Sequence, residues 1–143
     1  MEKVRGLTPG VLEDALTRCN AYPNYKVLIL CSNLIRAEEL AESIQEEFWE
    51  QGIINVYGIE IGMFGGNVVF NNNSHISIRH CNDMGYFDKG IFHFIVYDED
   101  SNSKSIMEII NKCTVIDYED EGSKQYQATP ELKEFLNSFE INK

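Results

Sequence analysis

The sequence predicts an α/β fold with a mixed sheet, and three features support that class. Two short, uninterrupted apolar runs, at 26–31 and 91–97, are typical of strands buried on both faces. A strongly amphipathic helix and a candidate β-hairpin lie between these runs in the chain. With 143 residues, 43% of them hydrophobic, the chain is long enough to bury a core. We therefore expect a single domain over 1–143, in which the two runs are central strands with flanking helices.

The first helix is expected to begin after Thr8. Thr8 can cap a helix, and Pro9 suits its first position because proline lacks the N–H that would be unpaired there. The stretch 20–25, with Pro23, ends the helix before the 26–31 strand. The apolar residues between these signals fall on one helical face: Val11, Leu12, Ala15, Leu16 and Cys19.

The second helix has the clearest pattern and is predicted over 35–51, with Gly52 ending it. Its apolar stripe consists of Ala37, Leu40, Ala41, Ile44 and Phe48. Most of the remaining surface is glutamate, at Glu38, Glu39, Glu42, Glu46, Glu47 and Glu50. The stripe predicts one face against the sheet and the glutamates predict an exposed acidic face.

A hairpin is predicted from two short strands, 67–70 and 75–80, joined by an asparagine-rich turn at 71–74. Asparagine tolerates positive φ, which such a turn requires. In the second strand Ile76 and Ile78 should point to one face, with His75, Ser77 and Arg79 on the other.

The rest of the chain predicts further short elements. A helix should begin near Ser103, which can cap it, and run to about Lys112. A last strand is predicted at 113–118, and a terminal amphipathic helix should follow the Thr-Pro pair at 129–130.

The charge balance indicates what kind of partner the chain binds. Twelve basic against 23 acidic residues give a formal net charge of −11 and no Lys/Arg cluster, so the isolated chain should repel nucleic acid. A basic protein partner is expected instead, including one that normally binds nucleic acid. The candidate partner-binding residues are Glu38, Glu39, Glu42, Glu46 and Glu50, and the alternative is that they form a solvated helix face.

Cysteine usage and hydropathy predict where the protein resides. Four widely spaced cysteines contain no Cys-x-x-Cys pair, which favours free thiols in a reducing compartment over a zinc site or disulfides. The first residues lack an apolar leader, and no apolar run approaches membrane-spanning length. We expect a soluble cytosolic protein that does not bind membranes.

The candidate catalytic residues follow the 91–97 run, which ends in Asp98, Glu99 and Asp100. Nucleotide-handling α/β folds keep a metal-binding aspartate and a catalytic glutamate at the carboxyl end of a central strand, although the pattern also fits the polar end of a core strand. A second set, His75, His80, Cys81 and His93, matches no standard metal-ligand spacing. His80 beside Cys81 also suggests a thiolate–imidazole pair, but neighbours on a strand point to opposite faces.

Part of the chain resembles RecA-like motors, most closely viral large terminases and DEAD-type helicases. The strand and helix Lys-Val-Leu-Ile-Leu-Cys-Ser-Asn-Leu-Ile-Arg-Ala-Glu-Glu-Leu at 26–40 carry the first part of the resemblance. The asparagine-rich turn and the Ile-Val-Tyr-Asp-Glu string at 95–99 carry the second. The resemblance covers about 26–100 and implies that Asp98 binds Mg²⁺ and that Glu99 polarises the water attacking ATP.

The phosphate-binding half of such a motor is missing. Where the loop G-x-x-x-x-G-K-[ST] should stand, the chain reads Val-Arg-Gly-Leu-Thr-Pro-Gly-Val at 4–11, with no Lys-Ser/Thr pair. The first hypothesis is therefore a non-enzymatic accessory protein of viral type, without cofactor, which blocks a basic nucleic-acid-binding partner. The alternative is a phosphohydrolase or motor fragment that uses Mg²⁺, ATP, Asp98 and Glu99. A structural subunit of a larger assembly is a third possibility.

Overall fold

The computed structural model describes residues 3–51, 56–62, 65–81, 91–98 and 103–118. Its helices are α1 (Pro9–Ala21), α2 (Leu34–Gln51) and α3 (Ser103–Lys112). Its strands are β1 (Val4–Gly6), β2 (Lys26–Cys31), β3 (Val56–Gly62), β4 (Gly65–Phe70), β5 (His75–His80), β6 (Ile91–Phe92), β7 (Phe94–Tyr97) and β8 (Thr114–Val115). No helix in these described ranges is long and apolar enough to cross a membrane.

The main sheet has six strands in the order β1-β7-β2-β5-β4-β3. The first four of these are parallel to one another, whereas β4 is antiparallel to both of its neighbours. Strands β6 and β8 form a separate parallel pair. The α/β class, the mixed sheet and the β4–β5 hairpin are therefore confirmed. The turn between β4 and β5 contains Asn73 at a φ of 69°, as the asparagine pattern predicted.

The sheet buries side chains on both faces. All six residues of β2 are buried, which explains why its sequence is an uninterrupted apolar run. One face is covered by α1 and α2, and its core includes Val11, Ala15, Val27, Ile29, Ala41, Ile44, Phe48, Ile76, Ile78 and Val96. The other face meets α3, with Leu28, Leu30, Phe92, Ile95, Ile109 and Ile110. Both predicted apolar stripes thus pack against the sheet.

Helix α2 packs very close to β4, because Gly66 of β4 has no side chain to separate the strand from the helix. A Cβ atom on Gly66 would stand 3.0 Å from the Cβ of Ala41. Gly65 has a φ of +121°, and a Cβ there would come within 2.1 Å of the carbonyl oxygen of Ile78. Any larger residue at these positions would push α2 or β5 away from the sheet.

The 91–97 run is not one strand, which corrects the prediction. His93 lies between β6 in the small sheet and β7 in the main sheet. Its imidazole accepts the hydrogen bond that Lys26 would otherwise donate to the backbone of a neighbouring strand. Nδ1 of His93 accepts a hydrogen bond from the Lys26 N–H at 2.9 Å. The His93 N–H donates to the Lys26 carbonyl, also at 2.9 Å. The chain therefore changes sheets at this buried histidine.

Some predicted elements differ from the structure in their presence or bounds, and other predictions fall outside the described residues. Strand β1 was not foreseen, and the predicted 113–118 strand is reduced to β8. Helix α2 begins one residue earlier than the pattern indicated. Glu99, Asp100 and the predicted terminal helix after 129–130 lie outside the described residues.

Candidate functional site

Three polar side chains meet at the carboxyl ends of neighbouring parallel strands. Cys31 at the end of β2 is paired in register with His80 at the end of β5. Leu30 is paired with Tyr97, which places Asp98 beside Cys31 on the other side. By the alternation of strand side chains, all three lie on the face covered by α1 and α2. In open α/β sheets this edge is where ligands usually bind.

Asp98 is held in place through both its side chain and its backbone. Its carboxylate, only 5% exposed, accepts a hydrogen bond from Nε of Arg36 at 3.0 Å. Its backbone N–H donates to the Leu30 carbonyl at 2.9 Å. The Arg36 side chain is 45% exposed, and its second partner is Glu39, at 3.5 Å from NH1 to Oε2. The hydrogen bond and the charge of Asp98 raise the pKa of the Arg36 guanidinium.

Helix α2 brings Arg36 to this position. The side chain of Asn33 caps the helix by accepting a hydrogen bond from the Arg36 N–H at 2.9 Å. No local pattern in the sequence distinguishes Arg36 from the other dispersed arginines. Its position in the chain was the available indication. A residue in the first helical turn after a parallel strand lies near the end of the neighbouring strand.

The predicted magnesium role of Asp98 finds no second ligand among the described residues. Its Oδ2 atom is already bonded to a guanidinium, which a metal ion would have to displace. In the described ranges no group of three His, Cys, Asp or Glu side chains is arranged to hold a metal ion. The metal role therefore stays a prediction that depends in part on Glu99, outside those ranges.

Cys31 is not an activated nucleophile. Burial raises its pKa to about 12, and the adjacent Asp98 carboxylate adds to that rise, so the thiol stays protonated at neutral pH. His80 is 8% exposed, and its Nδ1 atom has no hydrogen-bond partner in the part of the chain that is described. Cys81 belongs to the core on the opposite face of the sheet and bonds through Sγ to the Cys31 carbonyl at 3.2 Å. The suggested thiolate–imidazole pair of His80 and Cys81 is therefore not formed.

The four residues of the second predicted set do not form one site. His75 and His93 lie at the amino ends of the parallel strands, whereas His80 and Cys81 lie at the carboxyl ends. Their separation follows from the parallel order of β2, β5 and β7.

The connection from β1 to α1 stands where a motor would have its phosphate-binding loop. It lies next to Asp98, because the Leu7 N–H donates to the Tyr97 carbonyl at 2.7 Å. At two positions of the helical turn after this connection, no backbone N–H is available to bind phosphate. The Val11 N–H donates to Oγ1 of Thr8 at 3.1 Å, and Pro9 has no N–H.

Comparisons with protein-family models, with curated proteins and with solved structures find no match to this chain. What the chain does has to be inferred from its own geometry.

A second candidate surface is the acidic face of α2. Glu39, Glu42, Glu46 and Glu50 are exposed, and Glu38 is partly buried at the flank. Four of the glutamates, at 38, 42, 46 and 50, follow one another at intervals of four residues, which forms a ridge about 18 Å long. Like charges at this spacing destabilise a helix.

Arg36 is the only basic residue of α2, and among the described glutamates of this face it contacts Glu39 alone. The last turn carries no basic residue, so its glutamates meet the negative end of the helix dipole. The Arg36 guanidinium is also bonded to Asp98. An exposed row of like charges that lowers helix stability makes this face a candidate binding surface for a cationic partner.

Proposed function

We propose that this chain is a non-enzymatic acidic accessory protein of viral type, which binds a protein partner with a basic surface. The exposed face of α2 makes the contact, through Glu38, Glu39, Glu42, Glu46 and Glu50. The observation that carries the proposal is the ridge of glutamates at four-residue intervals on a helix whose one cation, Arg36, is bonded to Asp98 and Glu39. The partner's surface is one that otherwise binds nucleic acid.

The spacing of charge on α2 supports a nucleic-acid-binding partner. The five glutamates of the contact lie along about 18 Å of helix, which gives roughly one negative charge per 4 Å. One strand of B-DNA carries a phosphate charge every 3.4 Å or so along the helix axis. Lysines and arginines arranged for phosphates would therefore meet carboxylates at a similar density.

The cysteines support a reducing, cytosolic setting for this function. Cys19, Cys31, Cys81 and Cys113 are all free, and burial raises the pKa of Cys19, Cys31 and Cys81, so these thiols react slowly.

Binding to core histones, which are basic proteins that hold DNA through its backbone, tests the proposal. The wild-type chain should bind them at 50 mM NaCl and lose roughly tenfold or more in affinity at 200 mM, because the contacts are between exposed charges. The variant Glu42→Gln with Glu46→Gln should bind several-fold more weakly. Absence of binding at low salt, or binding that salt leaves unchanged, would refute the proposal.

A matched control separates the α2 face from net charge alone. Glu13→Gln with Glu108→Gln changes the net charge by the same amount, from −11 to −9, at two exposed positions outside α2. If this control weakened histone binding as much as the α2 variant, binding would depend on total charge and the proposed face would be wrong.

The alternative function is a nucleotide-dependent phosphohydrolase, or one part of a motor, that uses Asp98, Glu99, Mg²⁺ and ATP. The observation that favours it is the position of Asp98, buried at the end of β7 beside the β1–α1 connection. Calorimetry with Mg²⁺ and ATP or GTP tests it directly. Heat of binding at millimolar nucleotide that Asp98→Ala abolishes would support the alternative, and no binding would remove it.

A further inference from the structure

Strand β3 is an edge of the main sheet. It pairs with β4, and among the described residues no strand lies along its other side. At seven residues it is the longest strand described, whereas β1 at the opposite edge has three. A long edge strand offers a row of backbone N–H and C=O groups to another extended chain.

The sequence of β3 leaves its edge open to a basic segment, because its one charged residue is Glu60. Val-Tyr-Gly-Ile-Glu-Ile-Gly contains no lysine, arginine or proline, the residues that commonly prevent another strand from pairing. A register shift between Val56 and Gly58 disturbs its first residues, and the pairing from Gly58 to Gly62 is regular. On its α2 face, Ile59 packs against the core and Ile61 is 37% exposed.

The orientation of α2 places two of its glutamates above this edge. Arg36 reaches Asp98 on β7, and β7 lies on the far side of β2 from β3. At 100° or so per residue, Glu38 lies about 160° around the helix from Arg36, and Glu42 about 120°. The buried stripe of α2 lies between Arg36 and Glu38 around the helix, so the partly buried Glu38 is on the flank that faces β3 and Glu42 stands next to it towards solvent. Glu46 and Glu50 lie towards solvent and the Arg36 side.

We propose that the β3 edge and the Glu38–Glu42 flank of α2 together bind an extended Lys/Arg-rich segment of the partner as an added strand. The β3 backbone supplies hydrogen bonds, and basic side chains on the α2 side of the new strand meet Glu38 and Glu42. Glu60 is exposed on the opposite face of β3 and meets basic side chains on that side. The inference rests on the proposed function and specifies the form in which the basic partner binds.

Two nine-residue peptides of alternating lysine and valine provide the test. One has ordinary backbone amides, and in the other every internal amide nitrogen is methylated, so that charge and side chains are the same but strand pairing is blocked. The ordinary peptide should bind the wild-type chain about tenfold more tightly or better at 50 mM NaCl, because only it can donate backbone hydrogen bonds to β3. Equal affinities would overturn the added-strand proposal.

Matched variants within α2 locate the contact. Glu38→Gln with Glu42→Gln should weaken binding of the ordinary peptide about fivefold, and Glu46→Gln with Glu50→Gln less than about twofold, although both lower the negative charge by two. Equal weakening by the two pairs would contradict the placement at the β3 edge. Light scattering tests whether a second copy of this chain pairs with the β3 edge instead. A dimer that the ordinary peptide fails to dissociate would show that it does, and would overturn the proposal.

The outcomes separate this inference from the function on which it rests. If histones and both peptides fail to bind at low salt, the proposed function itself is wrong. If histones bind with the expected salt dependence and the two peptides bind equally, only the added strand is wrong.

Discussion

The two ends of the parallel strands are built in different ways. At the amino ends, polar groups of the β4–β5 turn bond to the chain that leads from α1 into β2. Oγ of Ser74 accepts a hydrogen bond from the Tyr25 N–H at 2.9 Å and donates to the Tyr22 carbonyl. Nδ2 of Asn72 donates to the Cys19 carbonyl at 2.8 Å, which satisfies the last turn of α1.

Aromatic rings add to these contacts. Together, Ser74, Asn72 and His93 with their hydrogen-bond partners form what we call the amino-end lock. The His93 ring stacks on Tyr25 with centroids 5.2 Å apart and meets Tyr118 edge-on at 5.3 Å. At the carboxyl ends, by contrast, a buried carboxylate is balanced by a half-exposed guanidinium, and Nδ1 of His80 has no hydrogen-bond partner among the described residues. The amino ends are therefore joined by buried hydrogen bonds and ring contacts, whereas the exposed charge lies on Arg36 and on the glutamates of α2.

The largest expected effect is at the amino-end lock. Ser74→Ala removes an acceptor from the buried Tyr25 N–H and a donor from the Tyr22 carbonyl, so the free energy of unfolding should fall by about 2–3 kcal/mol. Urea denaturation measures this. Ser77→Ala on β5 is the matched control and should change stability by less than about 0.5 kcal/mol. Equal effects would mean that the turn does not lock the amino ends.

A smaller effect is expected at the carboxyl ends. Arg36→Met leaves the Asp98 carboxylate buried without its guanidinium and should lower the free energy of unfolding by about 1–2 kcal/mol, less than for a fully buried pair because Arg36 is half exposed. Adding Asp98→Asn to Arg36→Met should restore part of the loss, as a double-mutant cycle would report. A double variant less stable than Arg36→Met alone would show that Asp98 is stabilised by other groups.

Local patterns in the sequence predicted most of the fold. The Thr8–Pro9 cap, the β2 run and the glutamate-and-alanine pattern of α2 each depend on neighbouring residues, so periodicity was enough. The division of the 91–97 run was not predictable in this way, because it depends on the bond between His93 and Lys26, which are far apart in the chain. Strand β1 was missed because three residues show no period.

The candidate site was only partly predictable. The acidic helix face and the position of Asp98 at a strand end follow from local sequence, and both are present in the structure. That Arg36 neutralises Asp98, and that Cys31 stands between Asp98 and His80, depends on the strand order β7-β2-β5. A one-dimensional pattern does not contain that order.

Acid should destabilise the amino ends through His75. Burial, with Lys26, Arg79 and His93 adding to the effect, lowers the pKa of His75 from 6.5 to about 3. Between these values the unfolded chain binds a proton that the folded protein does not, so stability falls as pH falls, by at most about 1.4 kcal/mol per pH unit. Denaturation at pH 7.5, 6 and 5 should show this decline, and His75→Gln should make it shallower. An identical decline in that variant would assign the effect to other groups.

The smallest effect is expected on α2. Glu42→Gln with Glu46→Gln removes repulsion between glutamates four residues apart, so thermal unfolding should show a gain of about 0.5–1 kcal/mol. Glu13→Gln with Glu108→Gln should give less, because neither residue belongs to the ridge. A loss of stability in the α2 variant would mean that these glutamates support the fold rather than serve binding.

Displacement of DNA from core histones tests whether the acidic face of α2 occupies a nucleic-acid-binding surface. Fluorescence anisotropy of a labelled duplex bound to core histones reports how much DNA the added chain releases. We expect release by the wild-type chain and by Glu13→Gln with Glu108→Gln, and several-fold less release by Glu42→Gln with Glu46→Gln. DNA that stays bound at saturating wild-type chain, or release that the α2 variant preserves in full, would contradict the claim that the acidic face of α2 occupies a nucleic-acid-binding surface.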